Sequence, residues 1–305
     1  MDADYPAASD PEWLRRHPDF PAVLAFYCDS LVAPLRGQRL MMKLFGQRAP
    51  TEIAALIVMM HVTARSPGDR PTVTRIQDRL PGARQTAAFI ALLRGFGIVQ
   101  AERDATDGRI RYLVPGPLIL DGLRDWVALH LDCHQRLAAA GLSGAELSVI
   151  GGGHAGRLRS DRAFFDAVIH QCAPWLDRSI RPLTRFPDLA WLDEHDSGLY
   201  LALTLAEQSL RLSPGGWLAA PAADLARSLG VSKSHIRNLI NAMERRGLVL
   251  HDDRRQRLRL APRFSGTIER WFCQQVSWLA AAAERADADR AIHGQSSVTL
   301  PVAMS

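Results

Sequence analysis

Between Ser232 and Asn241 the chain reads SKSHIRNLIN, and its polar residues are of types that hydrogen-bond to base edges. Lys233 and Arg237 can donate to the O6 and N7 of guanine, Asn238 and Asn241 can pair twice with adenine, and Ser232, Ser234 and His235 can serve phosphate or base. Arginines crowd just downstream, at Arg245, Arg246, Arg254, Arg255, Arg257 and Arg259. Cationic side chains at that density suit a polyanionic partner.

The spacing of apolar residues indicates the elements that must hold these groups. Ala223, Leu225, Ala226 and Leu229 make one face of a short helix that Gly230 ends. Ser232 is a good N-cap for a second helix, whose inward residues Ile236, Leu239, Ile240 and Met243 recur every three or four positions. Gly247 supplies a stop, and LVLHDD and RLRLAP read as two strands around the turn Arg254-Arg255-Gln256. Helix, turn, helix and hairpin in this order predict a winged helix, with the outward N-terminal residues of its second helix in the major groove.

The same order occurs once before, from Val73 to Pro115, with Leu80 matching Leu229, Gly97 matching Gly247, and LVP matching LAP. This match makes Arg84, Gln85 and Thr86 the DNA-facing residues of the earlier helix, followed by Ala87, Ala88 and Phe89. Arg103, Arg109 and Arg111 become hairpin contacts to phosphate or minor groove. A long helix follows each hairpin (Arg124 to Ala140, Glu269 to Ala283), and the segments Cys28 to Leu40 and Val168 to Ile180 echo each other upstream. The expectation is a mainly α chain with small β-hairpin wings, built as two winged helix-turn-helix units related by a pseudo-two-fold. The first unit spans 18–140 and the second 160–285, with a Gly-rich linker over 141–159 and a loose tail over 286–305.

Each unit, with helices before the helix-turn-helix, a basic wing and a long helix after it, resembles the MarR family of bacterial transcriptional regulators. That family carries a D-x-R signature in the wing, matched here by Asp107-Gly108-Arg109 and by Asp253-Arg254-Arg255. The resemblance implies that Asp107 and Asp253 brace the wings and that Arg109 and Arg255 enter the minor groove. Family members are normally dimers of one unit; this chain carries both, as fused members do. A sequence-specific double-stranded DNA-binding regulator follows, a repressor acting as a single-chain pseudo-dimer, monomeric in solution. A small-molecule effector pocket between the helix-turn-helix and the terminal helices is also implied.

Composition excludes some classes and leaves others open. With 305 residues, 47% hydrophobic and 23% charged, the chain can bury a sizeable core, and its net charge of +5 favours phosphates only weakly. No run reaches the roughly 20 apolar residues of a membrane span, and the acidic start MDADYPAASDPEW lacks the character of a signal peptide, so a cytoplasmic location is expected. The four cysteines lie far apart, without a C-x-x-C pair. Cys28 is a candidate redox thiol by analogy with oxidant-sensing relatives of the resembled family. His130 and His134, four apart, share a helix face and are candidate zinc ligands.

Gly151, Gly153 and Gly156 spell G-x-G-x-x-G, which would make an enzyme binding a dinucleotide if a buried strand fed it and a parallel strand followed. The following FFDAVIHQCAPWL is helical in character, so a glycine connector is the expected reading and no enzyme or cofactor is assigned. A plasmid-type replication initiator with tandem winged helices and a winged-helix scaffold that binds no DNA are the remaining alternatives. Arginine-laden wings count against the second.

Overall fold

The structure is a computed structural model and describes residues 12–80, 86–138, 153–177, 182–212, 216–252, 254 and 256–295. It is mainly helical, with small antiparallel sheets. The first half runs α1 (Glu12–Arg15), α2 (Phe20–Val32), α3 (Arg39–Phe45), α4 (Arg48–Thr63), α5 (Val73–Arg79), α6 (Thr86–Gly95), β1 (Val99–Arg103), β2 (Arg111–Pro115) and α7 (Pro117–Ala138). The second half opens with α8 (His154–Ser160), α9 (Arg162–Asp177), α10 (Pro187–Asp193) and α11 (Gly198–Leu212). It continues with β3 (Leu218–Ala219), α12 (Ala222–Leu229), α13 (Lys233–Arg245), β4 (Val249–Asp252), β5 (Arg257–Leu260) and α14 (Pro262–Gln295).

Local chemistry sets the matching boundaries. The Ser232 side chain accepts the His235 amide at 3.1 Å and starts α13, while Thr72 does the same for α5 through the Arg75 amide. Gly97 and Gly247 sit at φ +70° and +66°, the left-handed region that a Cβ disfavours. Each donates three residues back, to Arg94 and Glu244, and the next amide returns to Leu93 and Met243. This shared hydrogen-bond pattern places Thr86 at the position of Ile236, Ile90 at that of Ile240 and Leu93 at that of Met243. Gly116 bonds to Ile98 as Ala261 does to Leu248, so Pro117 corresponds to Pro262, not Pro115. Both prolines open long helices, at a position where the missing N–H costs nothing.

Packing exchanges the two halves. One core gathers α12, α13 and the β4–β5 hairpin of the second half around Leu225, Ile236, Leu239, Met243 and Leu258, but α1 to α3 supply Leu14, Phe20, Leu24, Tyr27 and Met42, and the end of α7 supplies Cys133 and Leu137. The other core holds Ile57, Ile76, Ile90, Leu93 and Leu113 of the first half, together with Leu158, Phe164, Phe165 and Val168 of α8 and α9, and Leu279, Ala283 and Ala286 from the end of α14. The exchange is reciprocal: α2 lies along α11, α9 lies along α4, and the long helices α7 and α14 each begin in their own core and end in the other. Ion pairs staple it, Arg15 to Glu269 at 2.8 Å, Arg48 to Glu194 at 3.1 Å and Arg159 to Asp132 at 2.5 Å.

Two expectations change here, and one strand is added. The linker expected to reach residue 159 gives way at His154 to α8, whose Ala155 and Leu158 are buried and whose His154 and Arg157 both bond to Asp287. Residues 141–152 lie outside the described part. The tail expected from 286 is instead helical to Gln295, with Ala286 buried, Asp287 paired as above and Asp289 accepting from Gln171 at 2.6 Å, because α14 must reach the first half's core. A short third strand, β3, pairs antiparallel with β5 through Leu218 and Ala219.

Candidate nucleic-acid interface

Helix α13 has two unlike faces. Ile236, Leu239, Ile240 and Met243 are buried, while Lys233, Ser234, Arg237, Asn238 and Asn241 are exposed on the opposite side. Among the described residues none of these five side chains has an ion-pair partner, and only Ser234 makes a side-chain hydrogen bond, to Ser232 at 3.0 Å. Donors and amides left unspent in this way are free for a ligand. His235, expected to share that role, is half-buried and donates from Nε2 to the Asp196 carbonyl at 2.7 Å. It anchors the helix, and Ser232 caps it.

The first half of the chain holds the segments around this helix. The Gly37 amide bonds to Ser228 O at 2.9 Å and the Ser197 amide to Gly46 O at 3.0 Å. Gly230, at φ +67°, presses against Arg39: a Cβ there would lie 3.3 Å from the Arg39 Cα. Any larger residue at Gly230 would therefore meet both backbone strain and the neighbouring chain.

At the tip of the β4–β5 hairpin Arg254 is exposed, while Asp253 and Arg255 lie outside the described residues. Arg257, expected to reach outward, turns back instead. It pairs with Asp252 at 3.3 Å, and its guanidinium, like that of Arg259, lies over the ring of Trp217 at 5.4 and 5.5 Å. The stacking stiffens the hairpin base against β3.

The equivalent surface of the first half differs. Thr86, expected as a base reader, is 0% exposed because it occupies the inward position that Ile236 fills in α13. Arg84 and Gln85 lie outside the described residues. Ala87, Ala88 and Ala91 are exposed where α13 has Arg237, Asn238 and Asn241. Arg103, Arg109 and Arg111 are exposed on the hairpin.

The hairpin brace is Asp104 rather than Asp107. The Asp104 carboxylate accepts from the amides of Thr106 and Asp107 at 2.8 Å each, from the Thr106 hydroxyl at 2.5 Å and from the Tyr112 hydroxyl at 2.6 Å, and these bonds hold its pKa far below the usual carboxylate value. Asp107 only accepts the Arg109 amide at 2.9 Å. A D-x-T-D run is a local turn signal, and it was available in the sequence.

The remaining candidates lose their chemistry through burial. His130 is 0% exposed; its Nδ1 donates to the Trp126 carbonyl at 2.7 Å, leaving Nε2 to accept from the Tyr27 hydroxyl at 2.8 Å. Both nitrogens are used, and burial lowers the pKa to about 4. His134 packs edge-on against Trp13, and no metal-holding group of three ligands occurs among the described residues. Cys28 is fully buried, and burial pushes its thiol well above the usual range, so no thiolate is available there for redox chemistry. Gly153 and Gly156 belong to the start of the short helix α8, and the next element is the helix α9, not a strand. No helix among the described residues is long and apolar enough to cross a membrane.

One further carboxylate was not singled out by spacing. Asp193, at the end of α10, is raised to about 7 by burial, only partly offset by Arg48 and further raised by Glu52 and Glu194. A carboxylate with a raised pKa penalises the fold as pH rises through 7 and is harmless below about 4. Asp193→Asn is expected to raise stability by on the order of 2 kcal/mol at pH 8 and by little at pH 4. Thermal melts at the two pH values read the difference; equal gains would show that Asp193 is not held neutral.

Between α4, α5 and α9 there is a cavity of about 230 Å³, floored by Leu56, Met59 and Met60 and rimmed by Arg65, Arg75 and Asp69. Comparison with known proteins found no matching family model, no matching curated protein and no matching solved structure.

Proposed function

We propose that this protein is a sequence-specific double-stranded DNA-binding regulator of transcription, a repressor, acting as a single chain in which two winged helix-turn-helix units form an intramolecular pseudo-dimer. The observation that carries the reading is the outer face of α13. Lys233, Arg237, Asn238 and Asn241 project without a side-chain partner among the described residues, with Ser234 beside them, from the second helix of a helix-turn-helix, above a fully apolar underside and beside an exposed arginine at the hairpin tip. In such a unit these positions meet base edges in the major groove. The resemblance of each unit to MarR-type regulators supports the same conclusion, and reciprocal helix exchange is the packing expected of a dimer written into one chain. The cavity beside α4 and α5 is the candidate effector pocket, its rim suited to an anionic ligand with an apolar body.

Selection of bound duplexes from a random pool tests the reading. An enriched site is expected, and retention of no sequence over any other would refute it. Asn238→Ala should then cost about 1 to 3 kcal/mol at one base position and little elsewhere. Arg254→Ala should weaken all sequences alike and reduce the salt slope by about one unit. An Asn238 variant that weakens every sequence equally would reassign that residue from base to phosphate. A winged-helix scaffold without DNA would bind no duplex, and an initiator would select iterated copies of one half-site.

A further inference from the structure

Resting on the DNA-binding reading above, we infer that the first unit reads thymine, by apolar contact of Ala87, Ala88 and Ala91 with the C5-methyl groups exposed in the major groove. The shared hydrogen-bond pattern around Gly97 and Gly247 sets these alanines at the positions of Arg237, Asn238 and Asn241, and all six residues are exposed. The two helices therefore present the same three sites with opposite chemistry. An alanine methyl has neither donor nor acceptor to offer a base edge. Of the four bases only thymine shows an apolar group in that groove. The small side chains also let the helix backbone approach closely.

Charge around the helix favours a nucleic acid over a protein as the occupant. Arg94, Arg103, Arg109 and Arg111 are exposed and have no carboxylate partner among the described residues. Arg103 and Arg111 stand directly opposite each other across the β1–β2 ladder, a like-charge pair that disfavours the hairpin until an anion lies between them. The nearby Glu102 does not relieve them, because it is committed to Arg70 at 2.6 Å. A phosphate backbone on either side of the groove supplies the missing anions while the alanines face the bases. Leu92 and Phe96, 45% and 50% exposed, lie toward the C-terminal end of the same helix. They are the residues that a protein partner would use.

The full chain and a duplex from the selection experiment decide the matter. The half-site whose preference shifts in Asn238→Ala belongs to α13, so the other half belongs to α6. Replacing thymine by uracil there, one position at a time, should weaken wild-type binding about fourfold for each methyl contacted. The Ala88→Asn variant should lose the uracil effect at one position and acquire a preference for adenine. Uracil without effect throughout that half would overturn the inference while leaving DNA binding intact. So would a footprint confined to the α13 half together with self-association that Leu92→Ser and Phe96→Ser abolish, since the face would then be a protein contact. Failure of the wild-type chain to retain any duplex would instead refute the DNA-binding reading from which this one starts.

Discussion

Tyr27→Ala is expected to destabilise the whole protein by about 3 to 5 kcal/mol, the cost of deleting a large aromatic side chain from a packed interior. Tyr27 is fully buried on α2, and its ring centroid lies 5.0 Å from that of His130, 5.8 Å from Trp271 and 4.8 Å from Phe272. His130 belongs to the first half and the other two to α14 of the second, so the substitution opens a cavity where the halves are interleaved. It also strands His130 Nε2. Tyr27→Phe keeps the ring and loses only the hydroxyl, at about 1 to 3 kcal/mol for a buried acceptor left unpaired. Denaturant unfolding should show one cooperative transition in wild type and in both variants, shifted most in the alanine one. Two separable transitions, only one of which moves, would mean that the cores are independent.

Acidification should destabilise the protein through His130, by about 3 kcal/mol between pH 6.5 and pH 4. With its pKa lowered to about 4 by burial, His130 stays neutral in the folded state over a range in which the unfolded chain takes up a proton. The contribution is fully present above about 6.5, declines as pH falls and is gone at about 4. His61 and His134, also lowered by burial, act in the same direction. Asp193 acts against them, since its raised pKa makes the fold relatively better off as pH falls below 7. The difference between wild type and His130→Phe isolates the histidine. Stability measured by denaturant titration at pH 7 and pH 4.5 should converge toward the variant at the lower value, and a gap that does not narrow would show that the ring is already charged at neutral pH.

The local elements could be read from the residues, and the partners of those elements could not. Ser232, Gly230 and Gly247 each state their role in a cap or stop, and the spacing of Ile236, Leu239, Ile240 and Met243 identifies the buried side of α13. Periodicity shows which face is buried but carries no information on what buries it. The exchange of α2 and α9 between cores therefore had no signature beyond the echo of the two upstream segments.

Thr86 reads as an outward residue for a related reason. Counting forward from a turn of different length moves the helix register, whereas counting back from the shared glycine does not, and a polar residue at an inward position looks like an outward one in the string. The motif that nominated Asp107 concealed Asp104, three residues earlier, whose four hydrogen bonds follow from the turn geometry. Residue type alone points His235 and Arg257 outward, yet each is spent on a neighbour, Asp196 and Asp252.

The interleaving also sets a timetable for biosynthesis. Arg15 and Glu269, which pair in the folded protein, are 254 positions apart in sequence, and Phe20 and Tyr27 rest on Phe272 of the same late helix. At about 5 to 20 residues per second, the ribosome delivers α14 some 10 to 50 s after α2 has emerged. During that interval Leu14, Phe20, Val23, Leu24 and Tyr27 are exposed to solvent or in transient company, without the surface that finally covers them. Burying them early within the first half would build a wrong core, so nascent chains of this design should depend on chaperone shelter at the N-terminal helices and should aggregate when synthesis stalls before residue 262.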